Sequence, residues 1–303
     1  YPETAALIVE RVRQHISRGD YAELDDLRDF CKTVTAHMQA VCGDKHLRLR
    51  ISQPGSGHQL TDPERHREWA ALQNHGFYRV ERLSGNIGYL DLRVLHDPSV
   101  AGETAVAAMR LLANTSALLI DLRRCPGGSP AMVQLLTTYL FAEPVHLESF
   151  YYRPDDTTTQ SWTLPYVPGE RLSDHPVYVL TSSKTFSGGE EFAYNLKHLK
   201  RATIVGETTA GGAHPGDAYA LPHGLEVFVP LGRPINPITG TNWEGTGVEP
   251  DIAVPAEQAF KTAYRIALEQ VRERLRTSES LVAESLLAEV DRALADLDDR
   301  ETP

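Results

Sequence analysis

The sequence predicts an α/β protein with a mixed or parallel sheet, preceded by a helical segment and closed by further helices. Three observations carry this. From about residue 80, strand-like and helix-like stretches alternate, which is the pattern of βαβ units. Ala117–Leu122 and Val177–Thr181 are strand-sized, nearly unbroken apolar runs, as expected of strands covered on both faces. At both ends of the chain, apolar residues recur at spacings of three and four, the period of an amphipathic helix.

Taken in order, Ala5, Ile8, Val12 and Ile16 mark a first helix. After the Gly19-Asp20 break, Leu24, Leu27, Cys31, Val34, Met38 and Val41 mark a second. Leu47-Arg48-Leu49-Arg50-Ile51 alternates with period two and reads as a half-buried strand. The polar stretch from Gln53 to His75 reads as a surface excursion, too short for an inserted binding domain. Ile87–Leu92 is a strand, and Thr104–Leu112 is a helix with Ala105, Ala108 and Leu112 on one face. Pro130–Leu140 and Glu190–Leu199 are helices that follow the two buried strands. Ala202–Val205 is a strand, and Tyr219–Pro230 is a hairpin turning at His223-Gly224. Pro255 opens a helix with Ala259, Ala263, Ile266 and Gln270 on one face, and Ser280–Leu297 is the last helix. The division expected is residues 1–78 as a helical subdomain with its first strand and excursion, and 79–303 as the core.

Composition narrows the function. The 303 residues carry 41 acidic and 30 basic side chains, a formal net charge of −11. An acidic balance argues against nucleic acid as a partner, which needs a basic patch. No apolar run approaches the ~18–20 residues that cross a bilayer. Three cysteines, Cys31, Cys42 and Cys125, make no disulfide framework. The chain begins at Tyr1, so a removed leader or a trimmed start is expected. The compartment is left open between periplasmic or secreted and cytoplasmic, and a homo-oligomer is left open too.

Four segments hold candidate chemistry. In Thr185-Phe186-Ser187-Gly188-Gly189-Glu190, a buried strand turns into a helix at a serine. That serine is either an ordinary N-cap or a nucleophile at the end of the sheet, with the next N–H groups facing an oxyanion. Asp121–Ser129 leaves the other buried strand through Gly127-Gly128, either as a plain turn or as the second half of an oxyanion hole. Asp44-Lys45-His46 offers a histidine beside a strand, a general-base candidate. Asn242-Trp243-Glu244-Gly245 offers an acid that could orient an imidazole. No His/Cys cluster has metal-ligand spacing, and neither a metal nor another cofactor is expected.

Together these segments, with Arg201–Gly212 and Asn236–Asp251, resemble the carboxy-terminal processing (tail-specific) serine peptidase superfamily. The resemblance covers about residues 1–270 and is nearest the branch of interphotoreceptor retinoid-binding protein modules and tricorn-type cores. It implies a crotonase/ClpP-like core of ββα units. It implies Ser187 as nucleophile, His46 as base, Glu244 as its acidic partner, and Gly188 with Gly127 and Gly128 as oxyanion hole. Processing peptidases of the Ser-Lys type carry a lysine where Gly211-Gly212 stands here, and a PDZ domain for which the 53–75 excursion leaves no room. The function implied is a serine peptidase acting on peptide or protein C-terminal segments. Two alternatives on the same fold are a module that binds a small apolar molecule and an enzyme of acyl or cyclisation chemistry. Lys45 and Lys184 are the two lysines near the candidate residues, and neither is expected to be the base.

Overall fold

The computed structural model describes residues 1–52, 63–278 and 282–299. Its centre is a six-stranded sheet, whose strands in chain order are β2 (Phe77–Leu83), β3 (Ile87–Leu92), β4 (Ala117–Asp121), β7 (Val177–Thr181), β8 (Thr203–Gly206) and β12 (Ile252–Ala253). Across the sheet the order is β12-β8-β7-β4-β3-β2, parallel throughout except for the antiparallel β2–β3 hairpin.

The period of two along each strand sorts side chains into two cores. Leu90, Leu118, Ile120, Val177 and Val179 pack on one side with α4 (Pro98–Leu112), α5 (Pro130–Thr138) and α6 (Gly188–His198). Ile87, Tyr89, Leu119, Tyr178 and Leu180 pack on the other with α7 (Ala256–Arg276) and α8 (Ala283–Asp299). Both faces are therefore covered, which is why β3, β4 and β7 are buried at every position.

The amino-terminal segment forms its own small core. Helices α1 (Pro2–Ser17) and α2 (Leu27–Cys42) pack with β1 (Arg48–Ile51), and Cys31, Val34, Met38, Leu47 and Leu49 are buried between them. β1 pairs with β10 (Leu225–Pro230), which pairs with β9 (Gly216–Leu221), so this segment is sewn to the later half of the chain. A third sheet joins β5 (His146–Tyr152), β6 (Thr157–Trp162) and β11 (Gly232–Ile235).

The expected strands and helices of the core are present with shifted ends. The polar excursion is the main departure. Its residues 53–62 lie outside the described residues, and its second half is α3 (Pro63–Leu72), held by the fully buried Ala70. Strands β2, β5, β6, β11 and β12 were not expected. Ser280 and Leu281, within the expected last helix, lie outside the described residues.

Candidate active site

Two loops at the carboxyl ends of adjacent parallel strands meet. β4 and β7 pair directly, and each runs through a turn into a helix, α5 and α6. Their turns are stitched together where Phe186 N–H donates to Cys125 O at 3.0 Å. A Cβ on Gly127 would fall 2.6 Å from Gly188 N and 2.8 Å from Ser187 Cβ. A side chain there would occupy the space the two turns share, so glycine is dictated by close approach.

Ser187 is the N-cap of α6 and holds φ 53°, ψ −124°. A residue with a side chain pays about 1–3 kcal/mol for such backbone, and it persists only where the surroundings fix it. Here they do. Ser187 N–H donates to Glu190 Oε2 at 2.9 Å, and Gly189 N–H to Phe186 O at 3.0 Å. The N–H groups of Gly128 and Gly188 donate to no group among the described residues. Gly127 N–H faces the buried Cys125 thiol instead. Two uncommitted backbone donors therefore flank the serine, and the third glycine contributes room.

A cavity of about 340 Å³ opens over this point, and His46, Arg48, Phe186, Ser187, Glu191 and His214 line it. Ser187 and His46, 141 positions apart in sequence, thus share one cleft. No hydrogen bond joins Ser187 Oγ to an imidazole among the described residues. His46 is buried, with its ring 4.4 Å from that of Phe186 and 5.7 Å from that of Phe228. Burial pushes its pKa down to about 4, against the pull of Asp44. The ring is therefore neutral at neutral pH and can accept a proton.

Glu244 does not hold His46. Its Oε2 accepts Ala213 N–H at 2.6 Å and lies 3.6 Å from His214 Nδ1. The carboxylate nearest the His46 ring is Asp44, with Oδ1 3.9 Å from Nδ1 and accepting the His46 backbone N–H at 2.8 Å. Asp44 Oδ2 also meets His214 Nδ1 at 2.7 Å. Glu244 thus belongs to an Asp44–His214–Glu244 cluster beside the histidine that it was expected to orient. The three residues offer ligand atoms within 4.8 Å of one another. His46 Nδ1 and Glu244 Oε1 are both buried without a hydrogen-bond partner.

Glu190 is the fastener of the site. Its carboxylate accepts Thr209 Oγ1–H at 2.5 Å, Gly211 N–H at 2.6 Å, Gly212 N–H at 2.9 Å and the Ser187 N–H. It ties the serine turn to the loop that runs beneath His46. A Cβ on Gly212 would stand 2.1 Å from the Phe186 ring and 3.1 Å from His46 Cε1. Where Ser-Lys relatives place their lysine, this chain places backbone. Of the two nearby lysines, Lys45 Nζ donates to Ala210 O, and Lys184 is exposed and lines a different groove with Arg123 and Glu207.

Glu191, a buried residue of α6, lines the cleft. Burial pushes its carboxyl well above the usual range, and Glu148 adds to the effect. Glu148, on β5, is itself raised to about 8 by burial.

The model of peptidase family S41 matches residues 86–254. The chain belongs to peptidase family S41. The matched residues include Gly127, Gly128, Ser187 and Glu244, and leave out Asp44 and His46. Over 181 residues this S41 chain is 28% identical to carboxyl-terminal-processing peptidase 1, chloroplastic, of Arabidopsis thaliana. That match takes in 57% of the chain and 35% of the relative, so the chain spans about a third of that protein's length. A lipoprotein from Streptococcus agalactiae superposes with a TM-score of 0.57 at 14% identity, over 88% of each chain. A peptidase candidate from Parabacteroides merdae superposes with 0.58 at 17% identity, over 84% of this chain and 88% of its own. These two share the fold. No helix among the described residues is long and apolar enough to cross a membrane.

Proposed function

We propose that this S41 chain is a serine peptidase that cleaves near the C-terminal ends of peptides or proteins, with Ser187 as nucleophile and His46 as base. The observation that carries the reading is the strained Ser187 in one cleft with a neutral buried imidazole and two uncommitted N–H donors. Ser187 Oγ attacks the scissile carbonyl carbon as its proton passes to His46. The carbonyl oxygen becomes an oxyanion, which the N–H groups of Gly188 and Gly128 receive, with Gly127 leaving the space for it. His46 then gives the proton to the leaving amine, and an acyl-enzyme remains. Water loses a proton to His46 as it attacks the acyl carbon, and His46 returns that proton to Ser187 Oγ as the acyl–oxygen bond breaks, releasing the carboxylic product and free Ser187. Asp44 places His46 through its backbone N–H, and Glu244 acts one step back, through His214.

The test is a fluorophosphonate probe with mapping of the modified residue. Labelling of Ser187 that is lost in His46→Ala supports the assignment. Full labelling of His46→Ala removes His46 as the base, and no labelling of the parent chain favours a ligand-binding module on the same fold.

A further inference from the structure

Arg48 lines the cleft without a hydrogen-bond or ion-pair partner among the described residues. It begins β1 and stands opposite Phe228 of β10, while the next residue on the same face, Arg50, stands opposite Glu226. Arg50 is ion-paired with the buried Glu226 carboxylate. Arg48 makes no hydrogen bond or ion pair among the described residues, and its Nε is buried without a partner. Leu47 and Leu49 face the opposite way, into the core under α2. The guanidinium therefore lies on the Phe228 side, and Phe228 and Arg48 line the cavity that Ser187 lines. A guanidinium stays charged in proteins and presents a planar fork that fits a carboxylate. Burial, then Arg50, acts against its charge; Glu226, already paired with Arg50, favours it with a smaller effect, so the guanidinium stands to gain from a further anion.

The cleft offers that anion little competition. Burial pushes the Glu191 carboxyl well above its usual range, and Asp44 is already engaged by His214 and by the His46 backbone. Direction also follows from the chemistry. The base that takes the serine proton returns it to the leaving amine, so the leaving segment passes His46. Arg48 lies two residues further along the chain, about 7 Å in an extended strand. Two or so extended peptide residues span such a distance.

Resting on the peptidase reading above, we propose that Arg48 binds a carboxylate on the leaving-group side of the scissile bond, the α-carboxylate of a short released C-terminal fragment. The residue selects substrates by their free end, within the catalytic cleft itself.

The test is binding, so it stands apart from turnover. Ser187→Ala protein is titrated by fluorescence anisotropy with fluorescein-labelled random hexapeptide pools. One pool ends in a free carboxylate, one in a carboxamide, and one in a carboxamide with aspartate fixed at the last position. The free-acid pool should bind about tenfold tighter than the plain amide, roughly the worth of one charge-assisted contact. Adding Arg48→Gln should bring that ratio to within about twofold, and Arg48→Lys should keep part of it. The ratio is internal to each variant, so a loss of fold would weaken both pools alike and not imitate the effect. Equal binding of acid and amide, an unchanged ratio in Arg48→Gln, or no measurable binding of any pool overturns the proposal. Preference for the aspartate amide over the free acid assigns Arg48 to an acidic side chain and overturns the α-carboxylate. If wild-type protein neither cleaves nor labels while the ratio still depends on Arg48, the peptidase reading fails and the carboxylate site stands.

Discussion

Asp44 Oδ2 lies 2.7 Å from His214 Nδ1, which joins the loop before β1 to a loop 170 residues later. The other oxygen of the same carboxylate holds the His46 backbone N–H at 2.8 Å. One side chain thus sets both histidines of the cleft. Asp44→Asn keeps the size but loses the charge and puts a donor where His214 meets an acceptor. We expect kcat to fall about a hundredfold, at the low end of a general base's contribution, with little change in KM. A KM effect with kcat intact would mean that Asp44 serves substrate binding and does not position the base.

The His46 pKa, lowered by burial to about 4, sets the acid limb of the activity. The neutral ring is the active form, so kcat/KM should persist below the ordinary histidine pKa of about 6.5 and be lost as pH falls through about 4. The same shift bears on stability. A depressed folded-state pKa contributes stability that is present above the unfolded value and lost as pH falls through the folded one. Kinetics with a pH-insensitive peptide substrate between pH 3.5 and 8 will decide. An acid limb near 6.5 would show that the imidazole is solvated in the working enzyme.

How much of this was legible in the sequence depends on range. Ser187 and the glycines around it stand out because strand, turn and helix are contiguous there. Gly127-Gly128 stands out for the same reason. Asp44, His214 and Glu190 did not, since what makes them functional is closure across the fold. Asp44 gains its role from a residue 170 positions away, and Glu190 from Gly211 and Gly212 across the cleft. Glu244 was picked out by its local Trp-Glu-Gly setting, but which histidine it faces is decided by how the 211–216 loop lies. β6 was hidden for a different reason. Thr157–Trp162 is almost wholly exposed, so it carries none of the apolar signal by which a strand is read.

Glu148 and Glu191 should make the protein less stable at alkaline pH. Burial raises both, Glu148 to about 8 and Glu191 well above its usual range. Between the unfolded pKa near 4.3 and the folded values, the native state binds protons that the unfolded chain has released. The stability these groups contribute is full below the unfolded pKa and is lost as pH rises through the folded values. Melting temperature should drop steadily from pH 5 to pH 9, and Glu148→Gln should flatten that slope. An unchanged slope in Glu148→Gln would place the pH dependence elsewhere.

Glu190→Ala should cost about 3 kcal/mol, the scale of leaving several buried donors unpaired. It frees the hydroxyl of Thr209 and the N–H groups of Ser187, Gly211 and Gly212 at once. Glu190→Gln keeps two acceptor lone pairs and should cost less. Chemical denaturation with both variants measures this, and equal stability of Glu190→Ala and the parent would remove the fastener role.

The last prediction separates what Ser187 does for the fold from what it does for chemistry. Its backbone sits at φ 53°, ψ −124°, a region natural to glycine and strained for any residue with a Cβ. Ser187→Ala keeps the strain and loses the hydroxyl. Ser187→Gly also loses the hydroxyl but releases the strain, at the entropic cost of a more flexible unfolded chain, about 0.4–1 kcal/mol. As an N-cap, glycine is only a few tenths of a kcal/mol worse than serine, whereas alanine is about 1 kcal/mol worse. Ser187→Gly should therefore melt above Ser187→Ala, by about 1 kcal/mol, and at or above the parent. Both variants should be dead toward the probe and toward peptide. A serine kept for capping would show the opposite pattern, with both variants less stable than the parent and activity surviving in at least one. Differential scanning calorimetry of the three proteins, with probe labelling in parallel, reads both halves. If the parent is the most stable of the three, the strain at Ser187 is not a cost borne for catalysis.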